Sequence, residues 1–267
     1  MAVALFWPLR HDPWLDNGLE VWGRILDQVA SQHPELLRCQ WQPDGLLLEV
    51  KDGDRLVPVL DEQLVSWRER NLFHTYTTKQ GERRRRLLDY IGFNQQPPNQ
   101  WPLPYLENQQ KRQDLLRAAL AQGEEGDRPC PLCGWGVSTA PPALTLSVYP
   151  LVTKNKAFSG ARTRWTGEGF EGRPTNVPTC HRCYLLGALA WADDSLLYLC
   201  GLGRDPKSSV AVAILPSPPD PDLVSLHRQK QAYRGQLDHR RHHRTNVHFR
   251  PPAVSPRAQP ERSDEDA

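Results

Sequence analysis

Two Cys-x-x-Cys pairs constrain what this chain can fold into more than any other feature of its sequence. The first pair is Cys130-Pro-Leu-Cys133 and the second is Cys180-His-Arg-Cys183. Each short turn lets two thiolates reach one ion, so the two pairs together predict a tetrahedral four-thiolate zinc site. Because 46 residues separate the pairs, the site would join distant parts of the chain and would not form a small independent finger.

Redox-active or disulfide-bonded cysteines are the alternative interpretation of these pairs. Neither pair lies in a strand-to-helix context typical of thioredoxin, and there are two of them, which favours Zn²⁺. A closed four-thiolate site leaves no position for water, so the metal is expected to be structural. Gly134 suits the left-handed backbone of a tight knuckle. Cys39 and Cys200 lie in apolar segments and are expected to be ordinary core residues.

The composition predicts a cytoplasmic protein without a membrane segment. No stretch has the roughly 18 consecutive apolar residues of a membrane span. The N-terminus has no basic leader before Arg10, so a secretory signal is not expected. In the cytoplasm, paired cysteines are typical of metal sites and less often of structural disulfides.

The first part of the chain is predicted to form a strand followed by a helix with clear start signals. A strand is predicted over residues 2–9, and Asp12 with Pro13 suits the N-cap and first position of a helix. Alternating spacings of four and three predict one apolar helix face, made of Leu15, Leu19, Trp22, Leu26 and Val29. Further strands are expected at 36–41, 46–50 and 56–60, then helices over 62–91 and 109–122.

The remaining segments complete a prediction of the α+β class. We expect a strand over 143–152, a helix over 184–191 and strands over 196–200 and 210–215. The last forty or so residues are expected to be disordered, and an arginine- and histidine-rich stretch covers 227–250. The predicted organisation is a mixed α/β region (1–122), an inserted four-cysteine zinc-knuckle module (123–192), closing strands (193–215) and a basic tail (216–267).

The insertion between the two cysteine pairs is rich in basic, aromatic and glycine residues. A net charge of +2 is too small to indicate a nucleic-acid partner, so the argument depends on where the charge lies. Basic groups neutralise phosphates and aromatic rings stack on bases. The candidate nucleic-acid contacts here are Lys154, Lys156, Arg162, Arg164, Arg173 and Asn176. The alternative is a solvated loop whose aromatic residues pack on the zinc knuckle.

A second basic feature is the run Arg83-Arg84-Arg85-Arg86, in which Arg83 and Arg84 are further candidate phosphate contacts. A solvated helix face is the alternative for such a run. The histidine-rich tail lacks carboxylates at suitable spacing, which disfavours a metal-dependent nuclease. No P-loop, G-x-S-x-G motif or convincing catalytic pair is present, so the chain is not expected to be an enzyme.

Three places in the sequence carry a resemblance to one family. They are the segment Asp12-Pro13-Trp14-Leu15-Asp16-Asn17-Gly18-Leu19, the pair at Cys130, and Val148-Tyr149-Pro150-Leu151 followed by a basic and aromatic loop and Cys180-His-Arg-Cys183. Over about residues 1–200 the chain resembles the large subunit of type I CRISPR interference complexes (Cascade), in the CxxC–CxxC group of subtype I-B and its relatives. Family members are usually longer and carry a C-terminal helical bundle, so this chain would be a fragment, a frame-disrupted copy or a compact variant.

The resemblance implies a non-catalytic subunit with Zn²⁺ on the four paired cysteines. Its partners would be the other Cascade subunits, a CRISPR guide RNA, duplex target DNA beside a short flanking motif, and a separate helicase-nuclease. DNA contact would fall on the basic loop between the pairs. Two other classes stay open: a stand-alone zinc-ribbon regulator that binds DNA or RNA, and a scaffold in which zinc only holds the fold.

Overall fold

The structure, a computed structural model, describes residues 2–71, 73–77, 80–87, 108–121, 126, 128–137, 142, 148–149, 178–191, 197–201, 209–213 and 222–237. Within these residues the chain forms helices and strands in the mixed order expected of the α+β class. The strands form one three-stranded sheet and three two-stranded sheets. None of the helices in these ranges combines the length and the apolar character that crossing a membrane requires.

The N-terminal sheet has its third strand at the centre. β1 (Val3–Pro8) and β2 (Leu37–Gln42) each pair antiparallel with β3 (Gly45–Val50), which confirms all three predicted strands. The register sets Trp7 opposite Leu46, and both side chains are buried. This face is covered by the following helix, on which the ring of Trp22 lies 5.7 Å from that of Trp7.

Helix α1 (Pro13–Gln32) begins as the sequence predicts. Asp12 is its N-cap, with Oδ1 accepting hydrogen bonds from the backbone N–H groups of Trp14 and Leu15, both at 2.9 Å. The five predicted apolar residues are all buried, which confirms the predicted face. The helix is also buried on its other sides, where polar residues such as Asn17 and Glu20 are enclosed.

The strand predicted at 56–60 is wrong, because this segment belongs to helix α2 (Gly53–Asn71). Leu56, Leu60 and Leu64 recur every four residues and are all buried, so the apolar run is one face of a helix. The Asp52 side chain accepts a hydrogen bond from the N–H of Arg55 at 3.0 Å, which stabilises the first turn. A short apolar run fits either element, and here the helix continues to Asn71.

The helix predicted to continue to residue 91 is also wrong. After α2 the chain forms an antiparallel pair, β4 (Phe73–Thr77) and β5 (Arg83–Leu87), so the arginine run lies on a strand. Aromatic and threonine residues in β4 favour a strand. Gly81, at φ +82°, provides the left-handed backbone that the connection needs.

Helices α3 (Gln109–Leu120) and α4 (His181–Trp191) lie close to their predicted bounds. Short strands β6 (Arg128–Pro129) and β7 (Gly136–Val137) flank the first cysteine pair. Strands β8 (Leu197–Gly201) and β9 (Ser209–Ala213) form the last antiparallel pair, as the sequence predicts. The strand predicted over 143–152 lies mostly outside the described residues, and Val148 and Tyr149, which are described, are not in a strand.

The prediction of a disordered tail is wrong for residues 223–237, which form helix α5 (Leu223–Leu237). Leu223 and Leu226 are buried against the rest of the protein, and the helix lies on α1 and β2. Asp222 caps it by accepting a hydrogen bond from the N–H of Val224 at 2.9 Å. Residues 238–267 of the predicted tail lie outside the described part of the chain.

One hydrophobic core joins segments that the sequence assigns to different regions. Its main helix contact is between α1 and α4, and α3 packs on both α2 and α4. The core contains Cys130 and Leu189 from the predicted zinc module and Leu226 from the predicted tail, together with residues of the N-terminal sheet and helix. The cysteine cluster is therefore part of the main core.

Candidate metal centre

The structure brings the four paired cysteines together at the N-terminus of α4. The sulfur atoms of Cys130, Cys133, Cys180 and Cys183 all lie within 4.8 Å of one another. Three of these residues are buried, and Cys133 is partly exposed. All four are free thiols, as is Cys39, which packs at the edge of the core. The predicted convergence of the two pairs is confirmed.

The first knuckle is a tight turn between β6 and β7. The N–H of Gly134 donates to the carbonyl of Cys130 at 2.8 Å, and the N–H of Cys130 donates to the carbonyl of Trp135 at 2.6 Å. Gly134 adopts φ +78°, the left-handed conformation expected for the glycine after Cys133. These backbone hydrogen bonds point the sulfurs of Cys130 and Cys133 to one side of the turn.

The second knuckle is the first turn of α4. The N–H of Cys183 donates to the sulfur of Cys180 at 3.4 Å, and the N–H of Tyr184 donates to the Cys180 carbonyl at 3.0 Å. Cys180 thus occupies the N-terminus of the helix, where the aligned peptide dipoles stabilise a thiolate. Thr179 adds a contact at 3.3 Å between its hydroxyl and the sulfur of Cys130, which links the two knuckles.

The geometry fits a tetrahedral metal ion. With metal–sulfur bonds of 2.3 Å, the sulfur–sulfur edge of a Zn–S₄ tetrahedron is about 3.8 Å. The sulfurs of Cys133 and Cys180, one from each knuckle, are 3.6 Å apart. Four soft sulfur donors suit zinc or iron and do not suit magnesium or calcium, which prefer oxygen ligands.

The electrostatics of the cluster also require a cation when all four residues are thiolates. Hydrogen bonds from Cys133, Cys180 and Cys183 hold the pKa of the Cys130 thiol below its usual value. The same contact with Cys130 raises the pKa of Cys180 and that of Cys183. Protons therefore remain on part of the cluster unless a metal ion replaces them, because negative charges packed this closely repel one another.

Arg182, inside the second pair, fastens this knuckle to the core. Its side chain is buried and donates to the carbonyls of Ala119 at 2.9 Å, Ala121 at 2.7 Å and Phe6 at 3.2 Å. The first two carbonyls lie at the C-terminal end of α3, where a positive charge is favourable. The analysis of the sequence did not single out Arg182, because its partners lie more than sixty residues away.

Two tryptophan rings contact the Arg182 guanidinium. Its carbon lies 5.0 Å from the ring centre of Trp7 and 4.7 Å from that of Trp135. Arg10 lies over the same Trp135 ring at 5.1 Å, so this ring contacts two guanidinium groups. Trp135 follows the first knuckle directly, and the stack therefore joins the first knuckle, the second knuckle and β1.

The helix N-terminus at Asp12 also contacts residues 148–149, which lie within the insertion between the two cysteine pairs. The indole N–H of Trp14 donates to the carbonyls of both Val148 and Gly187 at 2.9 Å. The hydroxyl of Tyr149 donates to Asp12 Oδ2. One cap residue and one indole thus hold residues 148–149 and α4 together beside the cysteine cluster.

The candidate nucleic-acid contacts of the insertion, Lys154, Lys156, Arg162, Arg164, Arg173 and Asn176, lie outside the described residues. Arg83 and Arg84 lie on β5, opposite Thr77 and Tyr76 of β4. The structure therefore brings the metal-site residues together and places these two arginines on a separate two-stranded sheet.

Comparisons of the chain with models of known protein families, with curated proteins and with solved structures found no match.

Proposed function

We propose that this chain is a zinc-stabilised, non-catalytic large subunit, or part of one, of a type I CRISPR RNA-guided DNA surveillance complex. The observation that supports this most is the meeting of three segments that carry the family resemblance. The Asp12–Leu19 segment contacts Val148 and Tyr149 and packs on the helix opened by Cys180-His-Arg-Cys183. Three motifs that are far apart in sequence thus form one structural unit.

Zinc is the proposed occupant of the cysteine cluster. Cys130, Cys133, Cys180 and Cys183 would hold it, and four thiolates leave no open coordination position. The ion therefore contributes folding energy and no reaction chemistry. It fixes the start of α4 against the knuckle before the insertion, so both ends of that insertion are held in place.

The insertion is the proposed DNA-contacting segment. Cys133 and Cys180 bound it on either side, and its basic residues would meet the phosphates of the target duplex beside the flanking motif. In this class of complex a guide RNA reads the target by base pairing, while protein reads the flanking motif and the backbone. The other partners are the remaining Cascade subunits and a helicase-nuclease, in the cytoplasm.

The decisive experiment is purification of the tagged full chain from its native cells, followed by sequencing of the small RNA that remains bound. We expect repeat-derived guide RNAs and the other Cascade subunits to copurify. A zinc-loaded protein that carries neither guide RNA nor partner subunits would contradict the proposal. Binding of DNA or RNA by that protein alone would then indicate a stand-alone regulator.

The DNA contact has its own test within the purified complex. The double variant Lys154→Glu/Arg164→Glu is expected to weaken duplex-DNA binding while leaving zinc content unchanged. A matched control is Lys111→Glu/Arg117→Glu, which makes the same charge change at two exposed positions of α3. Equal loss of affinity in both double variants would show that net charge, and not the insertion, determines binding.

A structural scaffold is the second candidate function. It is favoured by the burial of Cys130, Cys180 and Cys183 inside the main core, since a zinc site placed there stabilises the fold whatever the protein binds. A scaffold would bind nucleic acid without the steep salt dependence that phosphate contacts produce. Titration of duplex DNA at several salt concentrations separates the two candidates.

A further inference from the structure

The four cysteines of the cluster differ in their exposure to solvent. Cys130, Cys180 and Cys183 are at most 1% exposed, whereas Cys133 is partly exposed. The next residue, Gly134, is exposed, and a Cβ built there would meet no atom of the described residues within 4 Å. A small solute can therefore approach the cluster from the side of the first knuckle, at Cys133.

Metal binding keeps this exposed cysteine ionised. A thiol loses its proton when it becomes a zinc ligand, and the thiolate is also the form that two-electron oxidants attack. Exposure and thiolate character thus coincide at Cys133. Cys39 is also partly exposed but lies outside the cluster, and burial together with the neighbouring Asp27 raises the pKa of its thiol. Cys39 therefore stays protonated and is expected to react slowly.

A second sulfur lies beside Cys133 on the other knuckle. The sulfurs of Cys133 and Cys180 are 3.6 Å apart, so an approach of about 1.5 Å brings them to the length of a disulfide. The N–H of Cys183 donates to the Cys180 sulfur at 3.4 Å, which holds this sulfur at the start of α4. The Cys130 sulfur instead contacts the Thr179 hydroxyl at 3.3 Å. Cys180 is therefore placed to react with an oxidised Cys133.

We propose that Cys133 and Cys180 form an oxidation site, at which a peroxide converts two zinc-bound thiolates to a disulfide and releases the ion. The proposal rests on the zinc of the proposed function and on no nucleic-acid contact. The Cys133 thiolate attacks one oxygen of hydrogen peroxide, so the O–O bond breaks, a sulfenic acid forms and hydroxide leaves. The Cys180 thiolate then attacks the Cys133 sulfur, the S–O bond breaks and a second hydroxide leaves. The two electrons that the sulfurs lose reduce the peroxide.

Oxidation replaces one link between the knuckles by another. Only Cys130 and Cys183 remain as ligands, and two thiolates are too few for a closed tetrahedral site, so Zn²⁺ leaves. The disulfide joins the same two knuckles that the ion joined. We therefore expect α4 to stay beside the first knuckle, and reduction in the presence of Zn²⁺ to restore the original site.

The test treats the purified, zinc-loaded full chain with hydrogen peroxide and follows zinc release with a chromogenic chelator. We expect release of all bound zinc, a disulfide between Cys133 and Cys180 in the peptide map, and a reduced thiol at Cys39. In a short reaction, dimedone, which traps sulfenic acids, should label Cys133 first. Dithiothreitol with added Zn²⁺ should restore the metal content.

Two variants each remove one partly exposed thiol. Cys133→His leaves three cysteines and one histidine, a set that also holds structural zinc, and peroxide should release its zinc roughly tenfold more slowly. Cys39→Ser is the matched control outside the cluster and should release zinc at the wild-type rate. Zinc content before oxidation shows whether Cys133→His keeps its site. If it does not, the order of dimedone labelling in the wild-type chain decides which cysteine reacts first.

Zinc that stays bound, with all four thiols intact after peroxide, would overturn the oxidation site and leave the zinc proposal standing. First labelling at a buried cysteine, or a disulfide between Cys130 and Cys133, would overturn the assignment of the reacting pair. A chain that carries no zinc before oxidation would contradict the zinc proposal and, with it, the oxidation site. Copurification of guide RNA tests the rest of the proposed function separately.

Discussion

Glu20 and Lys230 form an ion pair 2.6 Å apart in which neither side chain is exposed to solvent. The two residues belong to α1 and α5, so the pair joins the first helix to the last described one. His227 Nδ1 lies 2.8 Å from the same carboxylate, and Lys230 also donates to the carbonyl of Asn17 at 3.1 Å. Because the charges are enclosed, α5 is held by specific partners as well as by apolar contact.

Removing one member of this pair should be more harmful than removing both. The variant Lys230→Met leaves the Glu20 carboxylate buried without its nearest cation, and we expect a loss of about 3 kcal/mol in the free energy of unfolding. Adding Glu20→Gln should recover part of that loss, because the buried carboxylate is gone and only Arg24, 3.1 Å from Glu20, then lacks this ion-pair partner. Urea unfolding of the two single variants and the double variant measures the coupling. Additive losses would contradict an energetically coupled pair.

The raised pKa of Asp16 makes the stability of the folded protein depend on pH, and it fixes the sign of that dependence. Burial raises the pKa of its carboxyl from 3.8 to about 6, although the N–H of Arg10 donates to it at 2.7 Å. The folded protein therefore binds the proton more tightly than the unfolded chain does. The protonated Asp16 carboxyl therefore contributes its full stabilisation below about pH 4. The contribution falls as the pH rises and is lost above about pH 6, which lowers the free energy of unfolding by about 3 kcal/mol.

The variant Asp16→Asn should remove this dependence. The amide oxygen can still accept from Arg10, and the buried charge is gone, so we expect higher stability than wild type at pH 7 and no gain at pH 4. Urea midpoints of both proteins across this pH range give the comparison. Asp54→Asn, at an exposed position of α2, is the control for general charge effects. Parallel pH profiles for wild type and Asp16→Asn would contradict the prediction.

The enclosed polar residues of α1 mark the limit of what local sequence predicts. The spacing of the apolar residues identified the face toward the sheet, and the N-cap signal at Asp12 identified the first turn. Burial of Asn17 and Glu20 was not predictable, because the elements that cover them are distant in sequence, α5 beginning at Leu223. From sequence alone, a polar residue on a helix is expected to be exposed to solvent unless the element that covers it is known.

The candidate site also combines features that local sequence predicts with features that it does not. The cysteine spacing predicted the convergence of four sulfurs, and the glycine after Cys133 predicted the left-handed turn. Arg182, which ties the second knuckle to α3, carries no such local signal. The apolar run at 56–60 was misassigned because a short run fits a strand or a helix equally well, and the four-residue spacing that indicates a helix becomes visible only when Leu64, outside the run, is included.

Close packing of α1 on α4 makes Gly18 irreplaceable. A Cβ atom at this position would lie 1.9 Å from the carbonyl oxygen of Leu186, a backbone atom that cannot move without shifting α4. We expect Gly18→Ala to lower the free energy of unfolding by about 3 kcal/mol and to reduce zinc retention, since α4 begins at the cysteine cluster. Gly53→Ala, where a Cβ meets nothing within 4 Å, should change stability by less than about 1 kcal/mol. Chemical unfolding of both variants makes the comparison, and equal losses would contradict it.

The metal itself can be identified by substitution and removal. We expect one zinc ion per chain by elemental analysis, and Co²⁺ substitution should give the visible absorption bands of a tetrahedral four-thiolate site. Cys180→Ser should abolish stoichiometric metal, because its sulfur belongs to the cluster and accepts from the N–H of Cys183. Cys39→Ser is the matched control, since this thiol lies outside the cluster and should leave metal content unchanged.

Chelation should destabilise the protein as a whole. Because the knuckles share the main core with α1, loss of the ion is expected to lower the melting temperature by about 10 °C or more, and not merely to release a peripheral loop. Circular dichroism during heating, with and without a chelator, tests this. An unchanged melting temperature after complete metal removal would mean that thiol packing alone holds α4 against the first knuckle. The fold would then not depend on zinc, and the ion's proposed structural role would be wrong.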